Sequence, residues 1–235
     1  MTQAPRIVVL DTETTGLNFR TGDRIIEVGC VEILDRRVSS RHFHRYINPE
    51  RSSDPEALKV HGITDEFLAD KPKFVEIADE LVEFVRDSEV VIHNASFDVG
   101  FLNAELALLS KGRFTDYCLC VTDTLELSKQ LSPGKRHNLD ALCDRYGISN
   151  AHRTLHGALL DAQLLAEVYL AMTRGQGSLG MELSNETAQT SVEIDISNAV
   201  LPVIRATLDE LAEHSRLLES IAKESKSGAL WGAAS

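Results

Sequence analysis

The most constraining feature of the sequence is an unbroken apolar run near its start that ends in acidic residues. Residues 6–10 read RIVVL, and β-branched residues without polar alternation indicate a strand buried on both faces. Asp11 and Glu13 follow directly, and side chains two residues apart in a strand share one face. Two like charges this close repel one another unless a cation lies between them. The run therefore predicts a central strand. Asp-x-Glu at its end is compatible with a metal site, but taken alone it fits a solvated loop better.

Further segments predict a sheet around this strand. Residues 24–34 and 38–47 are apolar strand-like runs joined by Asp35 and Arg36, which predicts a hairpin. Residues 89–93 and 120–124 predict two more short strands. Three strands followed by alternating helices and strands predict an α/β fold, with a mixed sheet and helices packed on it. The predicted helices of this part cover residues 55–60, 64–68, 73–86, 96–110, 138–146 and 154–172.

The distribution of aromatic residues predicts where the folded domain ends. Twelve of the aromatic residues (8 Phe, 4 Tyr and 1 Trp in all) precede Met172, and only Trp231 follows it. Because aromatic side chains dominate core burial, a domain over residues 1–173 is predicted. Residues 174–198 are rich in Gly, Ser, Thr, Gln and Glu and predict a flexible linker. Residues 199–235 form a predicted tail.

The tail contains one predicted amphipathic helix. Apolar residues recur at helical spacing between residues 201 and 221. Ser197 or Asn198 could cap this helix, and Pro202 suits its first turn. An isolated helix has no core of its own, so its apolar face is expected to pack on the domain or on a partner.

The net charge and the cysteine content limit the kinds of ligand and metal site that the chain can have. The net charge of −12 lacks the basic footprint of a nucleic-acid-binding protein, but divalent metals can supply positive charge at an acidic site. The 4 cysteines form no CxxC motif, which predicts reduced thiols and no zinc site. No stretch approaches the ~20 apolar residues of a membrane span, and no signal pattern opens the chain. A cytoplasmic protein with no membrane partner is therefore predicted.

Further candidate site residues lie near predicted helix starts. Asp98 lies in HNASFD, and His156 and Asp161 lie in HGALLD. In a continuous helix, side chains five residues apart point in directions that differ by about 140°, so His156 and Asp161 would not share a face. If both residues act together, His156 must lie at or before the helix start. Each acid alone could simply complement a helix dipole. Together with Asp11 and Glu13, however, four carboxylates suit Mg²⁺ or Mn²⁺, and a histidine adds a general base, the set used in two-metal phosphodiester hydrolysis.

These motifs resemble those of the DEDD superfamily of 3′–5′ exonucleases, in the subgroup with histidine. The resemblance covers nearly all of residues 6–172 and rests on LDTETTGL, HNASFDVGFL and HGALLDAQLLAEVY. Within the superfamily, VHGITDEFL and RTLHGALLDAQLLAEVYLAMT are similar to the proofreading subunits of bacterial replicative polymerases. The resemblance implies a ribonuclease-H-like fold with a mixed five-stranded sheet, two Mg²⁺ or Mn²⁺ ions per site, and His156 as the base that deprotonates water. The metal ligands that it implies are Asp11, Glu13, Asp98 and Asp161.

The resemblance also implies contacts to a DNA 3′ end and to partner proteins. The backbone around Thr12 and Thr14 would contact the terminal nucleotide, and the other implied substrate neighbours are Leu17, Val60, His61 and Asn94. The tail, with Trp231 as an anchor, would bind the polymerase alpha subunit. Clamp-binding peptides resemble Gln-x-x-aliphatic followed by a large apolar residue, a pattern that predicts a sliding-clamp contact through Gln176, Leu179 and Met181. Residues 189–194 offer a second and less favoured match, because an acidic residue interrupts it.

The function implied is a proofreading 3′–5′ exodeoxyribonuclease that releases deoxynucleoside 5′-monophosphates. Two alternatives remain open at this point. An RNA 3′-trimming exoribonuclease of the same superfamily would use the same chemistry but would need no tethered helix. A non-catalytic scaffold that bridges polymerase and clamp would not need all five catalytic positions to be filled.

Overall fold

The structure, a computed structural model, describes residues 6–151, 155–174 and 206–224. Contacts divide the chain into two compact units, Met1–Glu182 (the first unit) and Leu183–Ser235 (the second unit). The strands of the first unit are β1 (Ile7–Thr14), β2 (Ile25–Leu34), β3 (Arg37–Tyr46), β4 (Glu89–Ile92) and β5 (Cys120–Asp123). Its described helices are α1 (Pro55–His61), α2 (Asp65–Leu68), α3 (Phe74–Val85), α4 (Ala95–Leu108), α5 (Thr124–Leu131), α6 (Leu139–Tyr146) and α7 (Ala158–Met172). The described helix of the second unit is α8 (Leu208–Glu224).

The five strands form one mixed sheet, as the sequence predicted, and their order in the sheet is β3-β2-β1-β4-β5. β1 pairs antiparallel with β2 and parallel with β4, and β4 pairs parallel with β5. Asp35 and Arg36 form the two-residue turn between β2 and β3, and both have positive φ values (47° and 60°). Two such residues are typical of the type I′ turn, whose twist matches that of the strands it joins.

The central position of β1 explains its unbroken apolar run. Val8 and Leu10 pack into a core with residues of α3 and α4 on one face of the sheet. Val9 points to the opposite face and packs in a second core with residues of α6 and α7. All three side chains are fully buried. Helices therefore cover both faces of the sheet at β1. Because its side chains enter a core on either face, β1 is apolar until it extends beyond the two cores.

Helix α5 has no counterpart in the sequence prediction. Residue 124 was expected to end a strand, but β5 ends at Asp123 and Thr124 begins the helix. The Asp123 carboxylate accepts the backbone N–H of Leu125 (2.8 Å) and so caps the helix. Its two fully buried side chains, Thr124 and Ser128, are polar. A search for apolar periodicity misses such a helix.

Two helix starts also differ from the prediction. α7 begins at Ala158 rather than at residue 154, because Gly157 is extended (φ −157°, ψ 127°) and forms the N-cap. α8 begins at Leu208 rather than at residue 201. A capping box explains this start: the N–H of Glu210 donates to the Thr207 hydroxyl (3.3 Å), and the N–H of Thr207 donates to the Glu210 carboxylate (2.7 Å).

Several predictions concern residues outside the described ranges. They include the caps at Ser197 or Asn198, the first-turn Pro202, and all of the predicted linker over residues 174–198 except Arg174. Over the described parts of the chain, every helix is too short or too polar to traverse a bilayer.

Candidate active site

The two acidic residues of β1 lie where the strand loses one of its neighbours. β4 pairs with β1 only as far as Val9, whereas β2 accompanies β1 to Thr14. The strand therefore continues past the predicted end at residue 10, and Asp11 and Glu13 lie within it. Both share the face of Val9, on which α7 packs. Asp11 is half-buried and Glu13 is buried.

Asp98 lies in the first turn of α4, beside β1. It is 3% exposed, and its Oδ1 accepts the hydroxyl of Thr12 at 2.7 Å. Burial raises the pKa of Asp98 to about 7, although the Thr12 hydrogen bond works in the opposite direction. A buried carboxylate beside other carboxylates is stabilised either by a proton or by a cation.

The turn that presents Asp98 is held by Asp123. Asn94 has a left-handed backbone (φ 62°) and precedes α4. The backbone N–H groups of Asn94 and Ala95 donate to the two carboxylate oxygens of Asp123 (3.1 and 3.0 Å). One carboxylate at the end of β5 thus fixes the strand-to-helix turn at the end of β4. No local sequence pattern predicts this role of Asp123, because Asp123 lies 28 residues from its partner Ala95 along the chain.

His156 precedes α7, where the sequence analysis expected it. Its N–H donates to the carbonyl of Val60 (3.1 Å), and the extended Gly157 then leads into the helix. Asp161 lies in the first turn, with its Oδ2 3.3 Å from the Nδ1 of His156. The histidine side chain is 46% exposed, whereas that of Asp161 is 4% exposed. Because the backbone at Gly157 is extended, His156 and Asp161 can approach each other, which their five-residue spacing would prevent in a continuous helix.

The start of α7 is docked on β2 directly beside the two acids of β1. In the sheet register, Glu27 lies opposite Glu13 and Gly29 lies opposite Asp11. The N–H of Ala158 donates to Glu27 Oε2 (3.1 Å), while His44 Nε2 donates to Glu27 Oε1 (2.7 Å).

Gly29 provides the room for this contact. A Cβ atom at this position would lie 2.3 Å from the carbonyl carbon of Ala158. The sequence analysis missed both Glu27 and Gly29. The one available signal was a glycine inside a β-branched strand, which is typical of a close backbone approach.

All five predicted catalytic residues line one cavity of about 370 Å³. Glu13, His156 and Asp161 each offer a ligand atom, and these atoms lie within 4.8 Å of one another. Carboxylate oxygens are the ligands that hard divalent cations prefer, so this set fits such an ion. Thr12 and Asn94, two predicted substrate neighbours, line the same cavity. The lining residues that the sequence analysis did not select are His93, Phe97, Asn138, Leu139, Asp140 and Leu165.

The other predicted substrate neighbours lie elsewhere. Leu17 (83% exposed) and Val60 (45% exposed) line a second, mainly apolar cavity of about 590 Å³. Thr14 is buried, and its hydroxyl donates to the carbonyl of Gly16 (2.6 Å). His61 is 4% exposed and lines neither cavity. The predicted partner contacts Gln176, Leu179, Met181 and Trp231 lie outside the described residues.

The environment of the buried His61 ring favours its neutral form. Its Nδ1 accepts the N–H of Ile63 (3.0 Å), and burial lowers its pKa. Its Nε2 has no hydrogen-bond partner in the described part of the chain. The ring supports the turn after α1, next to Val60, whose carbonyl holds His156.

Comparisons with known proteins agree with this geometry. Residues 8–169 match the model of the exonuclease family. The chain is 50% identical to the DNA polymerase III subunit epsilon of Pasteurella multocida, over 97% of this chain and 94% of that protein. It is 49% identical to the DNA polymerase III subunit epsilon of Escherichia coli, over 99% of both.

Solved structures show the same fold. Exonuclease X in complex with 5′ overhanging duplex DNA superposes with a TM-score of 0.55 at 25% identity, over 71% of this chain and 90% of that one. The nuclease domain of 3′hExo, a DEDDh family member bound to rAMP, superposes with a TM-score of 0.62 at 16% identity, over 72% and 91%. Fold, site geometry and near-full-length identity agree, and the chain belongs to the exonuclease family, among the epsilon subunits of DNA polymerase III.

Proposed function

We propose that the chain is the 3′–5′ exodeoxyribonuclease that proofreads for a bacterial replicative DNA polymerase. It hydrolyses the 3′-terminal phosphodiester bond and releases deoxynucleoside 5′-monophosphates. The observation that carries this proposal is the single cavity lined by the five candidate catalytic residues. The near-full-length identity to epsilon subunits supports it.

Exonucleases of the DEDDh kind use divalent metal ions, and the oxygen-rich cavity suits such ions. We assign Asp11, Glu13, Asp98 and Asp161 as the ligands of two Mg²⁺ or Mn²⁺ ions per site. When bound, such ions neutralise the carboxylates, polarise the phosphodiester and lower the pKa of water.

The proton that the reaction releases is assigned to His156. Water attacks the terminal phosphorus, and the bond between phosphorus and the 3′ oxygen of the preceding nucleotide breaks. The departing oxygen takes up a proton from solvent and becomes the new 3′ hydroxyl. His156 accepts the proton of the attacking water and so acts as the general base. Its half-exposed ring can pass this proton to solvent, and the nearby Asp161 carboxylate stabilises the protonated ring.

The terminal nucleotide is assigned to the space between the two cavities. The backbone around Thr12 and Thr14 and the side chain of Asn94 would contact its sugar and phosphate. Leu17 and Val60 are exposed apolar residues on the second cavity, a surface suited to an unpaired base. His61 would act beside them through the turn it supports. A mismatched 3′ end reaches this site more easily, because it costs less to unpair.

The second unit is assigned to partner proteins. α8 exposes four large apolar side chains, Leu208, Leu211, Leu217 and Ile221. We assign the tail over residues 199–235, with Trp231, to the polymerase alpha subunit. Gln176, Leu179 and Met181, which belong to the first unit, are assigned to the sliding clamp. A replication subunit of this kind acts in the cytoplasm.

A cleavage assay tests the proposed function. A mismatched primer–template is incubated with the protein and Mg²⁺ or Mn²⁺, and in parallel with EDTA, beside a single-stranded RNA of equal length. We expect metal-dependent release of deoxynucleoside monophosphates and poor cleavage of RNA. Preferred cleavage of RNA would instead support a trimming exoribonuclease. Cleavage of neither substrate would support a scaffold.

A further inference from the structure

The loop between α5 and α6 carries two adjacent, exposed cations. Lys135 and Arg136 form no ion pair with any other described residue. In this chain of net charge −12, many other basic side chains are paired with carboxylates. Arg24, for example, forms two hydrogen bonds of 2.7 Å to Glu105. Among the described residues, Lys135 and Arg136 therefore present positive charge that no carboxylate pairs with.

This loop leads directly into the wall of the catalytic cavity. Asn138 caps α6, and it lines the cavity together with the next two residues of that helix. Two peptide units reach at most about 7 Å, so the backbone of Arg136 lies within that distance of Asn138. The side chains of a lysine and an arginine are long enough to reach the cavity rim from there.

Contacts on both sides of Arg136 fix the loop in place. The Nδ1 of His137 lies 2.9 Å from the hydroxyl of Ser128 on α5. The ring of His93, which lines the cavity, interacts electrostatically with the backbone of His137. The guanidinium of Arg145 donates to the carbonyl of Arg136. The backbone that carries the two cations is therefore anchored next to the cavity wall by contacts with α5 and α6.

We propose that Lys135 and Arg136 bind the phosphate backbone of the DNA strand upstream of the scissile bond. This inference rests on the proposed function, because it concerns the strand whose 3′ end enters the cavity. The cavity is lined with carboxylates, which repel a polyanion. Cations bound there act on the terminal phosphodiester, whereas the preceding phosphates need positive charge outside the cavity. The Lys135–Arg136 pair supplies that charge at its rim.

Salt dependence provides the test. In the full chain, the K135A/R136A double variant is compared with the wild type on a single-stranded DNA oligonucleotide, at fixed metal concentration and from 50 to 200 mM NaCl. Each phosphate contact on a single strand contributes about 0.7 to the salt slope, so we expect the slope of log kcat/KM to fall by about 1.4. The wild type should then lose about sevenfold more activity than the variant over this range. The change should appear in KM rather than in kcat.

A second substrate separates strand binding from chemistry. The p-nitrophenyl ester of thymidine 5′-monophosphate has no upstream phosphate, so both proteins should hydrolyse it at the same rate. The R37A/R113A variant removes two exposed cations from other segments of the chain and should keep the wild-type slope. The charge-conserving K135R/R136K variant should also keep it.

Two results would overturn the proposal. One is a wild-type salt slope in the K135A/R136A variant. The other is an equal loss on the mononucleotide ester, which would mean that the loop acts only through the shape of the site. Failure of the proposed function is distinct from both, because the wild type itself would then leave DNA uncleaved.

Discussion

Helices α7 and α8 are similar in length and opposite in environment. α7 has 15 residues and α8 has 17. On α7, Leu164 and Leu165 are 6% and 1% exposed, whereas on α8 Leu208 and Leu217 are 85% and 58% exposed. α7 is apolar on nearly all sides because it packs between the sheet and α6, while α8 is polar except for one stripe. The first unit thus buries its own core, and the second displays an apolar stripe that suits a partner. Chemistry is expected to depend on the first unit, and binding to the polymerase alpha subunit on the second.

The largest effect is expected from a carboxylate of the first unit. Asp11→Ala should lower kcat by about 10⁴-fold, equivalent to about 5.5 kcal/mol, because the cavity loses a metal ligand. Mn²⁺ affinity, measured by calorimetry, should fall with it. Asp209→Ala removes an acidic residue from the first turn of α8 and should change neither quantity. Normal Mn²⁺ affinity in the Asp11 variant would contradict the ligand assignment.

A histidine in each unit offers the next comparison. His156→Ala should lower kcat by about 10³-fold through loss of the general base, while thermal unfolding stays at the wild-type temperature. His214→Ala, on α8, is the matched control and should leave kcat unchanged. Equal activity of the two variants would show that His156 is not the base.

The docking of α7 on β2 can be broken by a single methyl group. Gly29→Ala places a Cβ atom 2.3 Å from the carbonyl carbon of Ala158. We expect a loss of about 1–3 kcal/mol in the free energy of unfolding. The shifted helix start should lower kcat by about 10- to 100-fold. Gly147→Ala is the control: it meets no atom within 4 Å but has a φ of 69°, so it should cost some stability and leave kcat unchanged.

Burial of Asp98 predicts a pH effect on the metal-free protein. Its pKa in the folded state is about 7, above the ordinary value of 3.8. As pH rises, Asp98 therefore loses its proton at a lower pH in the unfolded chain than in the folded one. The contribution of the protonated carboxyl to the free energy of unfolding is fully present below pH 3.8 and is lost as pH rises towards 7. In EDTA, the wild type should lose about 1 kcal/mol per pH unit more than Asp98→Asn between pH 5 and 7. Parallel stability curves for the two proteins, measured by denaturant unfolding, would contradict this.

Much of the fold was predictable because its signals are local. The apolar run of β1 predicted a buried central strand, and the pair Asp35–Arg36 predicted the hairpin. α5 was missed because its fully buried side chains are polar. The start of α8 was misplaced because apolar spacing from residue 201 was weighed above the capping box at Thr207 and Glu210.

The site was predictable only in part, for a related reason. Asp11, Glu13, Asp98, His156 and Asp161 stand in short motifs, and the structure brings them to one cavity. The residues that hold these motifs together are distant in sequence. Glu27 and Ala158 are 131 residues apart, so no local sequence pattern predicts their contact. His61, a predicted substrate neighbour, is a buried residue at the end of α1.

The contrast between the two units is tested most directly by removing the second one. A chain that ends at Glu182 keeps all of the first unit. We expect it to release deoxynucleoside monophosphates from a mismatched primer–template, with metal and not with EDTA, at a rate within about twofold of the full chain. Binding to the polymerase alpha subunit should be lost. A folded but inactive truncated chain would contradict the account, because the chemistry would then depend on the second unit.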